Sequence, residues 1–141
     1  MGILSFILIG CVMTTTTMLI SVEADDAEHY PIRWVEIDIK PIVDNDRLFK
    51  KYTECIISDK MKGCPKEALQ IKSAVPEIME TLCKKCLPIH ISRGKEYASY
   101  VCTKRPEESL AILKKQDPTG AIRTRFENTF GVVEECKDIH V

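Results

Sequence analysis

The chain has almost no excess charge of either sign, with 20 Lys and Arg against 21 Asp and Glu. A nucleic-acid partner needs a concentrated positive field over its phosphates, and basic residues so evenly offset by acids do not supply one. Catalytic signatures are missing too. There is no Gly-x-Ser-x-Gly elbow and no glycine-rich phosphate loop, and His29, His90 and His140 lie scattered in polar segments. Nothing repeats internally, no segment is of low complexity, and apolar–polar alternation is confined to residues 34–39, where a short strand is expected. These absences point away from an enzyme, a cofactor and a metal.

Charge is also absent from the first twenty-two residues; Glu23 is the first charged side chain. An apolar run over 3–12, threonines at 14–17 and the sequence Val22-Glu23-Ala24 read as a secretory signal peptide spanning 1–24. The threonines count against the rival reading, a retained membrane anchor, so any membrane contact is expected to be transient. Removal after Ala24 leaves 117 residues with 20 basic and 20 acidic side chains. That is enough for one domain over 25–141 that buries roughly two-thirds of its unfolded surface, and too little for two.

Six cysteines remain in the mature chain: Cys55, Cys64, Cys83, Cys86, Cys102 and Cys136. An even number in an oxidising compartment implies disulfides, with fifteen connectivities open to six cysteines. Cys83-x-x-Cys86 lacks the βαβ surroundings of a thiol oxidoreductase. A zinc site using these sulfurs or His90 fails on the eight-residue first interval.

Helical periodicity dominates the rest. Leu48, Phe49, Tyr52, Ile56 and Ile57 form one face of a helix capped by Asp44 or Asn45. Gly63-Cys64-Pro65 starts a second, with Ala68, Ile71, Val75, Ile78, Met79 and Leu82 as its stripe; Pro76, lacking an amide hydrogen, is expected to kink or split it. Leu87-Pro88 opens a third, which carries Tyr97, Ala98, Val101 and Cys102 and ends near Lys104. Pro106-Glu107-Glu108 opens a fourth with Leu110 and Leu113 inside, and after the turn Asp117-Pro118-Thr119-Gly120 the residues Ile122, Phe126 and Phe130 mark a last short helix. The fold class is all-α, a single compact domain of five to six amphipathic helices. The lysine pairs at 50–51, 84–85 and 114–115 are solvated faces.

Taken together, Trp34-Val-Glu-Ile-Asp38, Asn45-Asp-Arg-Leu48, Lys51-Tyr52, Val75-Pro76, Arg105-Pro106-Glu107, Asp117-Pro-Thr-Gly120 and the frame Cys55-x8-Cys64-x18-Cys83-x2-Cys86 resemble the insect chemosensory protein family, the olfactory-specific D type, over about residues 30–128. The resemblance implies a small secreted monomer whose helices enclose an apolar channel for long-chain semiochemicals or lipids. It also implies that Cys55 pairs with Cys64 and Cys83 with Cys86. The chain departs from the family in three places. Its first cysteine interval is two residues longer, read as a surface-loop insertion. Ser109 stands where the family commonly has tryptophan. Cys102 and Cys136 lie outside the family frame, the latter in a tail extending over about 129–141. They either bridge, which would hold the tail over the helix that carries Cys102, or remain a buried thiol and a free one.

On periodicity alone the apolar stripes are simply core. The resemblance requires that some line a cavity, and the ligand-binding set expected here is Trp34, Leu48, Phe49, Tyr52, Ile56, Val75, Ile78, Tyr97, Val101, Leu110 and Leu113. Tyr52 and Tyr97 combine an apolar ring with a hydroxyl that orients a head group, and Trp34 either covers a channel mouth or anchors the N-terminal segment. The function expected is a secreted, non-enzymatic carrier of small apolar ligands such as semiochemicals, fatty acids, long-chain alcohols or esters. The alternative is a secreted signalling or interaction protein on the same fold, acting in development, defence or reproductive secretion through a protein partner.

Overall fold

The computed structural model describes residues 28–59 and 62–141; the signal peptide expected over 1–24 and part of the lengthened loop between Cys55 and Cys64 lie outside them. The described residues are all-helical: a 3-10 turn Ile32–Glu36, then α1 Lys40–Val43, α2 Asp46–Ile57, α3 Lys66–Thr81, α4 Pro88–Lys104, α5 Pro106–Gln116, α6 Ala121–Phe130 and a second 3-10 turn Glu134–Cys136.

The helix boundaries follow from local chemistry. Asn45 caps α2, its side-chain oxygen accepting from the Leu48 amide at 2.9 Å. Prolines open α4 and α5, where their missing amide costs no helical bond. At the start of α6 the buried carboxylate of Asp117 accepts from the amides of Ile122 and Arg123 at 3.2 and 2.8 Å, placing negative charge at the positive end of the helix dipole. Helix α3 ends on Leu82 and Cys83, both with left-handed backbone at φ 52° and 59°, a strained conformation for residues other than glycine. The amides of both bond back to the Ile78 carbonyl, closing the helix end, and Cys83 lies within bonding distance of Cys86 immediately beyond.

One local expectation needs correction, and another loses one of its two alternatives. Residues 34–39 are not a strand. Pro31 sets φ at −60° and its carbonyl accepts from the Trp34 amide at 3.1 Å, so the chain turns tightly at once, and with no partner strand among the described residues the alternating pattern has nothing to pair with. Nor does Pro76 split its helix. The sixteen residues of α3 run through it as one helix, held by the neighbouring hydrogen bonds and by packing along α2.

The elements pack unevenly. Helix α2 lies against α1, α3 and α5, and α5 also against α4. Lys72 on α3 donates to the Cys55 carbonyl at 2.6 Å and to that of Ser58, closing the C-terminal end of α2. Arg105, between α4 and α5, donates to the Val43 carbonyl at 2.9 Å and to Asp46 at 2.5 Å, while its guanidinium lies 5.3 Å from the centre of the buried Phe49 ring. This is the solid side of the molecule. Among the described residues, helix α6 packs less closely on the other helices than these do on one another. Among the described residues no large apolar side chain is completely buried, because the apolar faces of α3, α4, α5 and α6 turn to a shared gap.

Three sulfur pairs lie at bonding distance: Cys55–Cys64, Cys83–Cys86 and Cys102–Cys136. The third decides between the two readings left open for Cys102 and Cys136. Their Cα atoms are 5.3 Å apart, and the bridge lays the second 3-10 turn against α4. No helix among the described residues is long and apolar enough to cross a membrane.

Candidate functional site

The gap is a cavity of about 550 Å³. One wall is the N-terminal segment with Tyr30, Trp34 and Val35; next to it stand Ile71 and Ile78 of α3 and the Cys83–Cys86 turn, where the Tyr30 amide donates to the Lys85 carbonyl at 3.0 Å. Helix α4 contributes Ile91, Tyr97, Ala98 and Val101, α5 contributes Ser109, Ile112 and Leu113, and α6 contributes Phe126 and Phe130, whose ring centres are 5.7 Å apart. The last wall is the tail, through Gly131, Val133 and Cys136. The lining is not closed off from solvent: Ile71 of α3 is 37% exposed, and Gly94 of α4 and Gly131 of the tail are exposed too.

The tail becomes a wall because several independent ties hold it. Gly131 turns the chain out of α6 at φ 85°, a conformation that favours glycine. Lys95 Nζ donates to the Phe130 carbonyl at 3.0 Å, a cation on the negative end of α6. Arg123 Nη2 donates to the Cys136 carbonyl at 2.7 Å and Nη1 to that of Ile139, while its Nε pairs with Glu127 at 2.6 Å. Cys102, Cys136 and Ile139 form a buried apolar cluster packed by Ala98, Leu110, Leu113 and Val133.

Around the N-terminal wall, Tyr30 stacks on Trp34 with ring centres 5.2 Å apart and donates its hydroxyl to Glu77 at 3.0 Å. Burial, followed by the Glu77 carboxylate, pushes the Tyr30 hydroxyl up to about 12, so it is a neutral donor throughout the physiological range. The Glu77 carboxyl is held below its usual value, first by Lys85 and then by Tyr30. His90 Nδ1 accepts from the Leu87 amide at 2.9 Å, and its Nε2 lies 3.3 Å from the Pro31 carbonyl. Tyr97 turns its ring to the cavity and its hydroxyl outward to the carbonyls of Ile37 and Val35. Beyond it lies a second, more polar groove of about 460 Å³ that shares Val35, Arg93 and Tyr97 with the cavity.

Of the ligand-binding set read from the sequence, the structure places Trp34, Ile78, Tyr97, Val101 and Leu113 on the cavity lining. Leu48, Phe49, Tyr52, Ile56, Val75 and Leu110 are not on it. Phe49 is under Arg105 on the solid side, Leu110 packs on the tail cluster, and half-buried Tyr52 has its hydroxyl pushed up by burial and then by Glu67 of α3. The lining also includes residues absent from that set: Tyr30, Ile71, Ile91, Ile112, Phe126 and Phe130. Helical spacing pointed to three of them, Ile71 on the α3 stripe and Phe126 and Phe130 at i, i+4 on α6.

Comparison with known proteins identifies a family and two relatives. The model of the insect pheromone-binding family, A10/OS-D, matches residues 30–124. Allergen Tha p 1 of Thaumetopoea pityocampa is 28% identical over 120 residues, covering 84% of this chain and 93% of that protein. Ejaculatory bulb-specific protein 3 of Drosophila melanogaster is 28% identical over 111 residues, covering 79% of this chain and 85% of that protein. No solved structure matches the chain.

Proposed function

Because the chain belongs to the insect pheromone-binding family, A10/OS-D, we propose that it is a secreted, monomeric, non-enzymatic carrier that takes a small apolar ligand into the cavity among α3, α4, α5 and α6. The observation that carries this reading is the cavity itself, about 550 Å³ with predominantly apolar walls, within the roughly 300–1,000 Å³ usual for small-molecule sites. Its mechanism is sequestration. Burying a chain of about fifteen carbons gains about 0.8 kcal/mol per methylene, some 12 kcal/mol in all. Association costs of about 4 kcal/mol or more leave about 8 kcal/mol, a micromolar affinity. Trp34, Ile78, Tyr97, Val101 and Leu113 supply apolar contact, and selection by chain length and shape follows from the walls.

The tail supports the carrier reading over that of a partner-binding protein, since residues of 131–136 face the cavity and are tied down by Cys102, Lys95 and Arg123. The test is a native, non-reducing intact mass of protein taken from host medium, with a titration of N-phenyl-1-naphthylamine. A chain starting at Asp25, three disulfides and saturable binding of the dye or a co-purifying apolar adduct are expected. A bare protein to which the dye does not bind would end the carrier reading.

A further inference from the structure

Charge on the cavity lining is compensated at every residue but one. Arg93 pairs with Glu96 at 2.7 Å and Arg123 with Glu127 at 2.6 Å, while both ring nitrogens of His90 are committed to backbone. Lys95 is on the same lining and is in no ion pair among the described residues. Its ammonium has three N–H donors, and the Phe130 carbonyl takes one of them at 3.0 Å. Two donors remain, and the space beside them is open. A Cβ built on Gly131 would meet Lys95 Nζ at 3.4 Å and, outside its chain neighbours, nothing else within 4 Å. One built on Gly94, the residue before Lys95 in α4, would meet nothing within 4 Å beyond the adjacent backbone of its helix. Both glycines are exposed residues of the lining and Lys95 is half-buried, so a molecule in the cavity has access to the ammonium where α4 meets the tail.

We propose, building on the carrier reading, that Lys95 is the head-group site of the cavity, and that the ligand is a long-chain amphiphile with a single carboxylate, which sits at the junction of α4 and the tail while its chain lies against the apolar walls. A ligand that fills the cavity displaces water from the inner side of the ammonium. A hydrocarbon gives nothing back for that water, and an ester offers only a neutral acceptor. A carboxylate restores a charge-assisted hydrogen bond, and the opposite charge offsets the desolvation of both ions. Arg93 and Arg123 do not compete for the anion, because each already holds a carboxylate of the protein. The bond to Phe130 keeps the lysine side chain in place before the ligand arrives, so little ordering is left to be done on binding.

The test is displacement of N-phenyl-1-naphthylamine by dodecanoate and by methyl dodecanoate at neutral pH, measured on the full mature protein and on Lys95→Met and Lys95→Arg. The two competitors share a chain and differ in charge, and comparing their ratio between proteins cancels their different solubility in water. Lys95→Met is expected to weaken dodecanoate relative to its ester by about ten-fold, the worth of a charge-assisted hydrogen bond, while Lys95→Arg retains most of the preference. A purely structural role for Lys95, through Phe130, would weaken both competitors alike and leave the ratio unchanged; that result would overturn the proposal and spare the carrier reading. Failure of dodecanoate to displace the dye from the unaltered protein would overturn it too, and failure of the dye to bind would remove the carrier reading as well. A measurement on the unaltered protein makes the proposal independent of how the variants fold. The carboxyl carbon of bound [1-13C]dodecanoate, followed by NMR against pH, is expected to titrate below the free acid because the cation favours the ionised form. Titration at or above the free acid would place the head group away from Lys95 and overturn the proposal.

Discussion

The hydroxyl of Tyr97 lies 2.6 Å from the carbonyl of Ile37, sixty residues earlier in the chain. The same side chain therefore gives the cavity a ring and ties down the adjoining N-terminal segment, whose Trp34 and Val35 are also on the lining. Tyr97→Phe keeps the ring and cuts the tie. The expected cost is about 1 kcal/mol of stability, read from thermal unfolding, together with faster release of bound dye in stopped-flow. An unchanged release rate would show that this segment does not govern access.

Phe49 and Val101 should separate stability from binding. Phe49 is buried on the solid side, and Phe49→Ala is expected to cost about 3–5 kcal/mol of folding free energy while the protein that remains folded keeps its dye affinity. Val101→Phe puts bulk into the cavity and should lower dye affinity at least ten-fold for a stability cost of about 1–3 kcal/mol. Paired denaturant melts and titrations decide both.

Removing the Cys102–Cys136 bridge with a double alanine variant frees a loop of about 35 residues, worth about 3.8 kcal/mol by chain entropy. Since that bridge also fixes a wall, ligand release should accelerate beyond what global destabilisation explains. Arg123→Ala, which leaves the sulfurs alone, is expected to show the same kinetic effect in weaker form, because it removes the guanidinium from the Cys136 and Ile139 carbonyls. Release rates equal to wild type in both variants would show that the tail is not a closing wall.

Acid should loosen the same structure by a separate route. The Glu77 carboxyl is held below its ordinary 4.5, first by Lys85 and then by Tyr30, so the unfolded chain takes up its proton more readily than the folded one. Its contribution to stability is complete above 4.5 and is lost as pH falls through the depressed folded value. Glu77→Gln is expected to flatten that limb of a stability-against-pH curve; an unaltered limb would place the acid sensitivity elsewhere. At the other end, the raised hydroxyl of Tyr30 contributes fully below 10 and is lost on approach to about 12.

Helix limits were legible wherever a residue type dictates backbone chemistry: Asn45 as a cap, Pro88 and Pro106 as first helical residues, Asp117 to Gly120 as a turn. The stretch 34–39 misled because alternation reports burial on one side of a strand only when a partner strand exists, and here Pro31 and the hydroxyl of Tyr97 hold the chain in a turn and loop instead. Periodicity also identified apolar faces without saying what they face. Phe49 on α2 and Val101 on α4 look alike in sequence, yet Phe49 packs beneath the Arg105 guanidinium while Val101 lines the cavity, a difference set by which elements each helix face meets. That Trp34 Nε1 and Ser109 Oγ are buried with no hydrogen-bond partner among the described residues depends on every neighbour at once, and no local pattern encodes it.

Asp117 has a reach longer than its own turn. It fixes the first amides of α6, and one of them belongs to Arg123, whose guanidinium holds the last residues of the chain. One carboxylate thus aims a clamp twenty residues downstream of itself. A substitution as slight as Asp117→Asn acts at a distance: it blunts the anchoring of the helix, lets the arginine swing, and reaches the cavity as a slackened seam between α4 and the tail.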